Sequence, residues 1–302
     1  MDKIQRVGIL GAGAMGAYFA AQFYEAGFNT HFIADGERLE RLNRDGIVVN
    51  GKRYCIPALS PGQAEAPVDL LLVALKHHHL QQAVPALGRL VGEATNFLSV
   101  MNGLESEAYI GSIYGMHRVL YAISLQIDAV REGNQISYTR PGIHYFGEAR
   151  NDRLSPPVLA VQAAFARAGI RYETPPDMIR MLWWKFMINV GINQASAVLR
   201  APYGVFQTQP EAQGLMEALM REVLALAQAA QVNLTEQDVK DWYPVLNRLS
   251  PHGKTSMLQD VEAGRKTEVD IFAGKVIALG EQYGIPTPVN RNVYQILKAP
   301  VG

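Results

Sequence analysis

"VGILGAGAMGAYFAAQFYEAG", residues 7–27, decides how the rest of the chain is read. A β-forming run ends at Leu10, three glycines follow at Gly11, Gly13 and Gly16, and apolar residues then recur at helical spacing. The first glycine permits a tight turn, the second lets the backbone approach a pyrophosphate, and the third lets helix and strand pack closely. The helix start then offers N–H groups to an anion, so Gly11, Ala12, Gly13, Ala14, Met15 and Gly16 are candidate dinucleotide contacts. A tight turn without a ligand would also use glycine. The strand before, the helix after and the N-terminal position are what a dinucleotide site requires.

Outward from this stretch, β-rich runs alternate with helical patterns, as in a sheet built from βαβ units. Strands are expected over 6–10, 30–34, 68–75, 96–100 and 118–127. Asn50-Gly51 in "IVVNGKRYCI" predicts a hairpin inserted into the wound sheet. "QISYT" and "IHYFGE" bracket Pro141-Gly142 and are expected to extend that sheet antiparallel. After "IRYET" the run "PPD" breaks the pattern, with Asp177 as an N-cap. Helical spacing then covers 178–199, 212–231, 236–249, 255–265, 268–283 and 289–298. The fold class is thus an α/β Rossmann-type domain with a mostly parallel sheet, residues 1–174, followed by an all-α domain, residues 175–302, with a crevice between them.

A chain of 302 residues suits two domains. Its 28 basic and 28 acidic residues balance, which gives no reason to expect nucleic acid or an anionic membrane as a partner. The single cysteine, Cys55, excludes an internal disulfide framework and suits a reducing compartment. No leader-like segment precedes "RVGIL", so a cytoplasmic protein is expected. The helical half is amphipathic enough to form a homodimer, although apolar faces used internally give the same pattern.

Ligands of open α/β sheets lie beyond the carboxyl ends of the strands. Asp35 stands there, about 20 residues past the glycine loop, where a carboxylate accepts hydrogen bonds from ribose hydroxyls and repels a 2′-phosphate. It also suits the N-cap of the next helix. Arg38 can reach a 2′-phosphate, so both NADH and NADPH stay open as cofactors. Lys76 and Asn102-Gly103 follow two further strands and are candidate cofactor contacts. His77-His78-His79 is read as a solvated helix start and not as a metal site, because adjacent helical residues point about 100° apart.

In the helical half, "MLWWKFMINVGINQ" (181–194) is nearly all apolar yet carries Lys185, Asn189 and Asn193 at intervals of four. On a helix these form one polar stripe. It serves either a site or an ion pair with bridging amides. Ser256 and Glu268 lie further on and favour the site. A protonated lysine, amides, a hydroxyl and a carboxylate are what reduction of a 2-oxo acid requires, because negative charge develops on the ketone oxygen as hydride arrives.

Together, "GAGAMG", Leu75-Lys76, Asn102-Gly103, "WWKFMINVGIN" and "TSMLQDVEAGRKTEVD" resemble the ketopantoate reductases (2-dehydropantoate 2-reductases), in the same order and over essentially the whole chain. The resemblance implies NADPH-dependent reduction of 2-dehydropantoate to (R)-pantoate, toward pantothenate and coenzyme A. It makes Lys185 the general acid and places Glu268 on the substrate hydroxyl or the cofactor. Asn189, Asn193 and Ser256 then bind substrate, and Lys76 and Asn102 line the cofactor side. Two positions depart from the pattern. Asp35 replaces an arginine common at the end of the second strand, which leans toward NADH, and Tyr203 replaces an asparagine sometimes found after the lysine helix.

Two other readings compete. One is an NAD-dependent D-2-hydroxyacid dehydrogenase of the same fold, acting on a branched or aromatic 2-oxo acid. The other is a catalytically silent dinucleotide sensor, which would need only the first domain and so leaves Lys185, Asn189, Ser256 and Glu268 without a purpose.

Overall fold

The computed structural model describes residues 3–299. The chain divides into two compact units, the first ending at Ile179 and the second beginning at Arg180. The sequence pattern alone had set the break at 174. Residues just past it stay with the first unit because Asp177 bridges to Arg150 and the Met178 N–H donates to the Ala149 carbonyl at 3.1 Å.

The first unit is built on an eight-stranded sheet in the spatial order Tyr172–Glu173, Pro141–Gly147, Val119–Ile127, Asn96–Ser99, Leu70–Val73, Arg6–Leu10, Asn29–Ile33, Ala58–Leu59. All neighbours are parallel except Pro141–Gly147 against Val119–Ile127. Parallel strands covered on both faces read as continuous apolar runs, and Leu70, Leu71, Leu72 and Val73 are all fully buried. Side chains alternate between the faces. Leu70 and Leu72 join one core with Phe19, Phe146 and Phe165, while Leu71 and Val73 join the other with Phe97 and Ile110. Arg6–Leu10 lies between Asn29–Ile33 and Leu70–Val73, so the winding reverses there and the loop after Leu10 sits at the ligand-binding switch point.

The expected hairpin forms, with Ile47–Val49 antiparallel to Lys52–Tyr54 and positive φ at both Asn50 (48°) and Gly51 (80°). It is not inserted into the wound sheet. With Gln135–Ser137 and Val130–Glu132 it makes a separate four-stranded sheet. "QISYT" therefore does not extend the main sheet, as "IHYFGE" does; Ile136 pairs in parallel with Val49 instead. Local alternation identifies a strand but not a partner some 87 positions away, and here the Asn50 side chain also accepts from the Tyr138 N–H at 2.9 Å.

The second unit is helical throughout its described elements: the rest of Met178–Ile188, Asn189–Asn193, Gln194–Leu199, Tyr203–Thr208, Pro210–Ala229, Glu236–Leu246, Ser256–Glu262, Ala273–Tyr283 and Pro288–Lys298. The pattern over 178–199 reads as one α-helix, but Asn189–Asn193 is a π turn. The helix expected from 268 starts only at Ala273. Val269, Ile271, Phe272, Ala273 and Val276 are all buried and imitate helical spacing, while the segment before Ala273 is held as turns by the Glu268 carbonyl, which accepts from Ile271 and Phe272.

A buried polar network joins four of these helices. The Gln194 side-chain oxygen accepts from the Ala273 N–H at the start of one helix, and its nitrogen donates to Val190 O and Asn290 Oδ1, each at 2.9 Å. Asn290 donates in turn to Glu222, whose carboxylate also receives the Val289 and Asn290 backbone N–H groups at the start of the last helix. Two helix N-termini are thereby satisfied inside the core. Among the described residues, no helix is long and apolar enough to cross a membrane.

Candidate active site

Each glycine of the first loop is required for a different reason. Gly11 has φ +109°, and a Cβ there would lie 2.5 Å from the Ala74 carbonyl oxygen. A Cβ on Gly16 would lie 1.8 Å from the Gly11 carbonyl oxygen, so that glycine sets how closely the helix Ala14–Glu25 approaches the loop. Gly13 is unlike both. Its φ of −77° suits any residue, and a Cβ there meets nothing within 4 Å. Neither backbone conformation nor packing demands glycine at this position, and the open space above it fits the pyrophosphate of a dinucleotide. The helix beginning at Ala14 has no side-chain cap and no acidic residue in its first turn, which leaves its N-terminal dipole for an anion.

The other candidate cofactor residues follow neighbouring strands at the same edge of the sheet. Lys76 is half-buried three residues beyond Val73, next to the Ala74 backbone that Gly11 touches. Asn102 is half-buried beyond Ser99, and its neighbour Gly103 has φ +97°. Beneath that loop runs a buried chain that sequence reasoning missed: Ser99 Oγ lies 2.7 Å from Ser106 Oγ, which donates to Glu107 Oε2 at 2.8 Å, and Ser99 Oγ accepts from the Met101 N–H at 3.4 Å. Three polar residues within eight positions of an apolar strand were the available signal. Asp35 is exposed at the N-cap position of Gly36–Asp45, and its side chain makes no capping hydrogen bond.

One further group reaches the glycine loop. Arg131, on the strand Val130–Glu132 of the small sheet, donates to the Ala12 carbonyl at 2.7 Å and to the Gly133 carbonyl at 2.7 Å. Burial, and then the charges of Arg38 and Arg41, hold its pKa below the ordinary arginine range. The sequence signal was the Gly133-Asn134 turn that makes this strand one arm of a hairpin.

In the helical unit the π turn decides the geometry of the stripe. Four α-helical steps from Lys185 to Asn189 overshoot a full turn by about 40°. A π turn, at about 4.4 residues per turn, falls short by roughly 33° over the next four, so Asn193 returns under Lys185 instead of drifting away. The amides meet accordingly, with Asn193 Nδ2 donating to Asn189 Oδ1 at 3.3 Å. Lys185 and Asn189 are half-buried and Asn193 is buried. Gly191 inside the turn is tightly packed, since a Cβ there would meet the Met220 side chain at 2.5 Å.

Ser256 is exposed in the first turn of Ser256–Glu262. Thr255 caps that helix by accepting from the Leu258 N–H at 3.1 Å and is anchored through Ser196 Oγ at 3.2 Å. Ser196 follows Asn193 by one turn, so Ser256 is tied to the helix that carries the stripe. Glu268 is half-buried in the turn before Ala273. Tyr203 opens a short helix, its N–H on the Gly253 carbonyl at 3.0 Å, in the loop that leads to Ser256. Burial pushes its hydroxyl up to about 12, so it is neutral at any physiological pH.

The first unit thus offers a dinucleotide loop, and the second a row of Lys185, Asn189 and Asn193 with Ser256 fixed through the same helix. The curated 2-dehydropantoate 2-reductase of Archaeoglobus fulgidus is 27% identical over 300 residues, 98% of each chain. The crystal structure of 2-dehydropantoate 2-reductase from Geobacter metallireducens is 25% identical and superposes with a TM-score of 0.86, covering 97% of this chain and 99% of that one. A ternary structure of D-mandelate dehydrogenase with NADH and anilino(oxo)acetate, 19% identical, shares the fold with a TM-score of 0.89 and 97% coverage of both chains. The models for ketopantoate reductase PanE/ApbA and for the ketopantoate reductase PanE/ApbA C terminal match residues 7–151 and 177–301, and the chain belongs to the ketopantoate reductase family.

Proposed function

We propose that the protein reduces 2-dehydropantoate to (R)-pantoate with a reduced nicotinamide dinucleotide, a step toward pantothenate and coenzyme A. The observation that carries this reading is the π turn that keeps Lys185, Asn189 and Asn193 in one row. Such turns inside α-helices occur frequently at functional sites, and a lysine needed only for an ion pair would not require two amides aligned with it. The names of the full-length relatives support the choice of substrate.

Gly11 to Gly16, Lys76 and Asn102 hold the dinucleotide, which when bound supplies a hydride to the keto carbon. Lys185 stabilises the negative charge growing on the keto oxygen and delivers a proton to it from Nζ. Asn189, Asn193 and Ser256 donate hydrogen bonds to the substrate, holding its carboxylate without a second full positive charge. Glu268 accepts from the substrate hydroxyl.

A second reading rests on Tyr203. A neutral phenol beside the segment that presents Ser256 suits an aromatic or branched 2-oxo acid in place of a hydroxylated one. Initial rates on 2-dehydropantoate, 2-oxoisovalerate and phenylglyoxylate with both cofactors separate the two. The proposal expects kcat/KM on 2-dehydropantoate to exceed the others at least about tenfold. A lead for phenylglyoxylate transfers the assignment to a 2-hydroxyacid dehydrogenase, and nucleotide binding without turnover of any keto acid restores the sensor reading.

A further inference from the structure

Directly after Asn193 stands a polar side chain that the proposed reaction does not use. Gln194 is fully buried, and its amide is engaged at both ends. The nitrogen donates to Val190 O and to Asn290 Oδ1, and the oxygen accepts from the Ala273 N–H, each at 2.9 Å. Val190 offers only an oxygen and Ala273 only an N–H, so the amide can face one way.

We propose that Gln194 is a positioning residue for the reduction, its side chain holding the π turn that carries Asn189 and Asn193 at a fixed spacing from the turn that carries Glu268. The inference rests on the function proposed above and adds to it a residue that acts through others. On the side of the lysine row, the bond to Val190 is the one that matters. Returning from the i→i−5 bonding of a π turn to the i→i−4 bonding of an α-helix skips one main-chain acceptor. The Gln194 backbone N–H goes to the Gly191 carbonyl, and its side chain supplies a donor to the Val190 carbonyl inside the turn. A buried carbonyl is costly to leave without a donor, so this bond favours the π winding.

The oxygen of the same amide reaches the Glu268 segment. Ile271 and Phe272 donate to the Glu268 carbonyl, Gly274 donates to the Val269 carbonyl, and these turns lead into the helix that starts at Ala273. The first N–H of a helix has no partner within it, and here Gln194 accepts it. Asn193 is its neighbour in the chain, and Glu268 is fastened through Ala273. One amide thus spans the two substrate-facing segments of the helical unit. The bond to Asn290 belongs to the surrounding core and reaches neither segment.

The test is steady-state reduction of 2-dehydropantoate and 2-oxoisovalerate by the full-length wild type, Gln194→Met, Gln194→Asn and Asn290→Leu, with calorimetric titration of NADPH and NADH. 2-Oxoisovalerate lacks the hydroxyl that Glu268 accepts from, so the ratio of the two kcat/KM values reads the placement of Glu268 and cancels any change in the folded fraction. Methionine keeps the length without the hydrogen bonds. Asparagine, one methylene shorter, keeps an amide that cannot span Val190 and Ala273 together, and it decides the matter should Gln194→Met not fold. Asn290→Leu disturbs the same core but leaves the bonds to Val190 and Ala273 in place. Both Gln194 variants are expected to lose about tenfold in kcat on 2-dehydropantoate and at least about threefold in the ratio, with cofactor affinity within about twofold of wild type. In Asn290→Leu, kcat and the ratio should stay within about twofold. An unchanged ratio in the Gln194 variants, or equal losses in Asn290→Leu, makes Gln194 a core residue only and overturns the proposal, while wild-type turnover keeps the function standing. A wild type inactive on 2-dehydropantoate overturns the function and the proposal together.

Discussion

Gly13→Ala and Gly16→Ala add the same methyl group three residues apart, and the structure assigns them opposite consequences. At Gly16 the new carbon would sit 1.8 Å from the Gly11 carbonyl oxygen, where a carbon–oxygen contact needs about 3.3 Å. Closing that deficit means moving the helix Ala14–Glu25 by more than about an ångström off the sheet, at a cost at or above the 1–3 kcal/mol typical of overpacked cores. At Gly13 the carbon meets nothing and φ is −77°. The lower backbone entropy of the unfolded alanine chain contributes about 0.4–1 kcal/mol of stability, and loss of a favoured N-cap residue takes back a similar amount. Net stability should therefore stay within about 0.5 kcal/mol of wild type. The methyl would instead occupy the space assigned to the pyrophosphate, and cofactor affinity should fall by about tenfold to a hundredfold, equivalent to roughly 1.4–2.8 kcal/mol. Urea unfolding of the apoprotein, followed by calorimetric titration with NADPH and NADH, measures both quantities. Wild-type cofactor affinity in Gly13→Ala, or a loss of stability equal to that of Gly16→Ala, would show that Gly13 is glycine for the fold and not for a ligand.

Further outcomes follow from the same geometry. Lys185→Ala should lower kcat by about 100-fold or more with cofactor affinity nearly unchanged, and normal turnover would remove Lys185 from the mechanism. Gln194→Leu should destabilise the protein by about 2–4 kcal/mol, because the Ala273 N–H and Asn290 Oδ1 lose their buried partners; a smaller urea midpoint shift at unchanged slope would mean that the network is dispensable. Hydrogen bonds from Lys52 and then Tyr54 hold the Glu25 carboxyl below the usual glutamate range. That stability is complete above the unfolded glutamate pKa and lost as pH falls through the lowered folded value, so Glu25→Gln should flatten the acid side of the stability curve. An unchanged acid limb would assign the pH dependence elsewhere.

The parts of the molecule legible in the sequence were those set by local pattern. The alternation of Leu70–Val73 between two cores, the glycine loop and the Asn50-Gly51 hairpin each depend on residues a few positions apart. Distant pairing was hidden. Nothing near Ile136 says that its neighbour is Val49, and so Arg131, carried by the same small sheet, was missed beside Ala12. The lysine stripe was visible as a spacing of four, but a π turn leaves that spacing unaltered; only the contact of Gly191 with Met220 and the backbone geometry reveal it. In 268–272 the burial of Val269 and Ile271 imitates a helix that the chain does not form.

The turn at Asn189–Asn193 also acts as a phase setting between two parts of one rod. Upstream of it stands the reactive lysine, and immediately downstream Gln194, which clasps the starts of two other helices together with Asn290 and Glu222. Winding the same five residues as a plain α-helix would rotate everything beyond them by roughly 90°. Gln194 would then swing off Ala273 while the lysine stayed where it was. The chemistry of this helix and its fastening are geared to each other through the winding of one turn, so a change of that winding would disengage both at once, whereas a substitution can disable either alone.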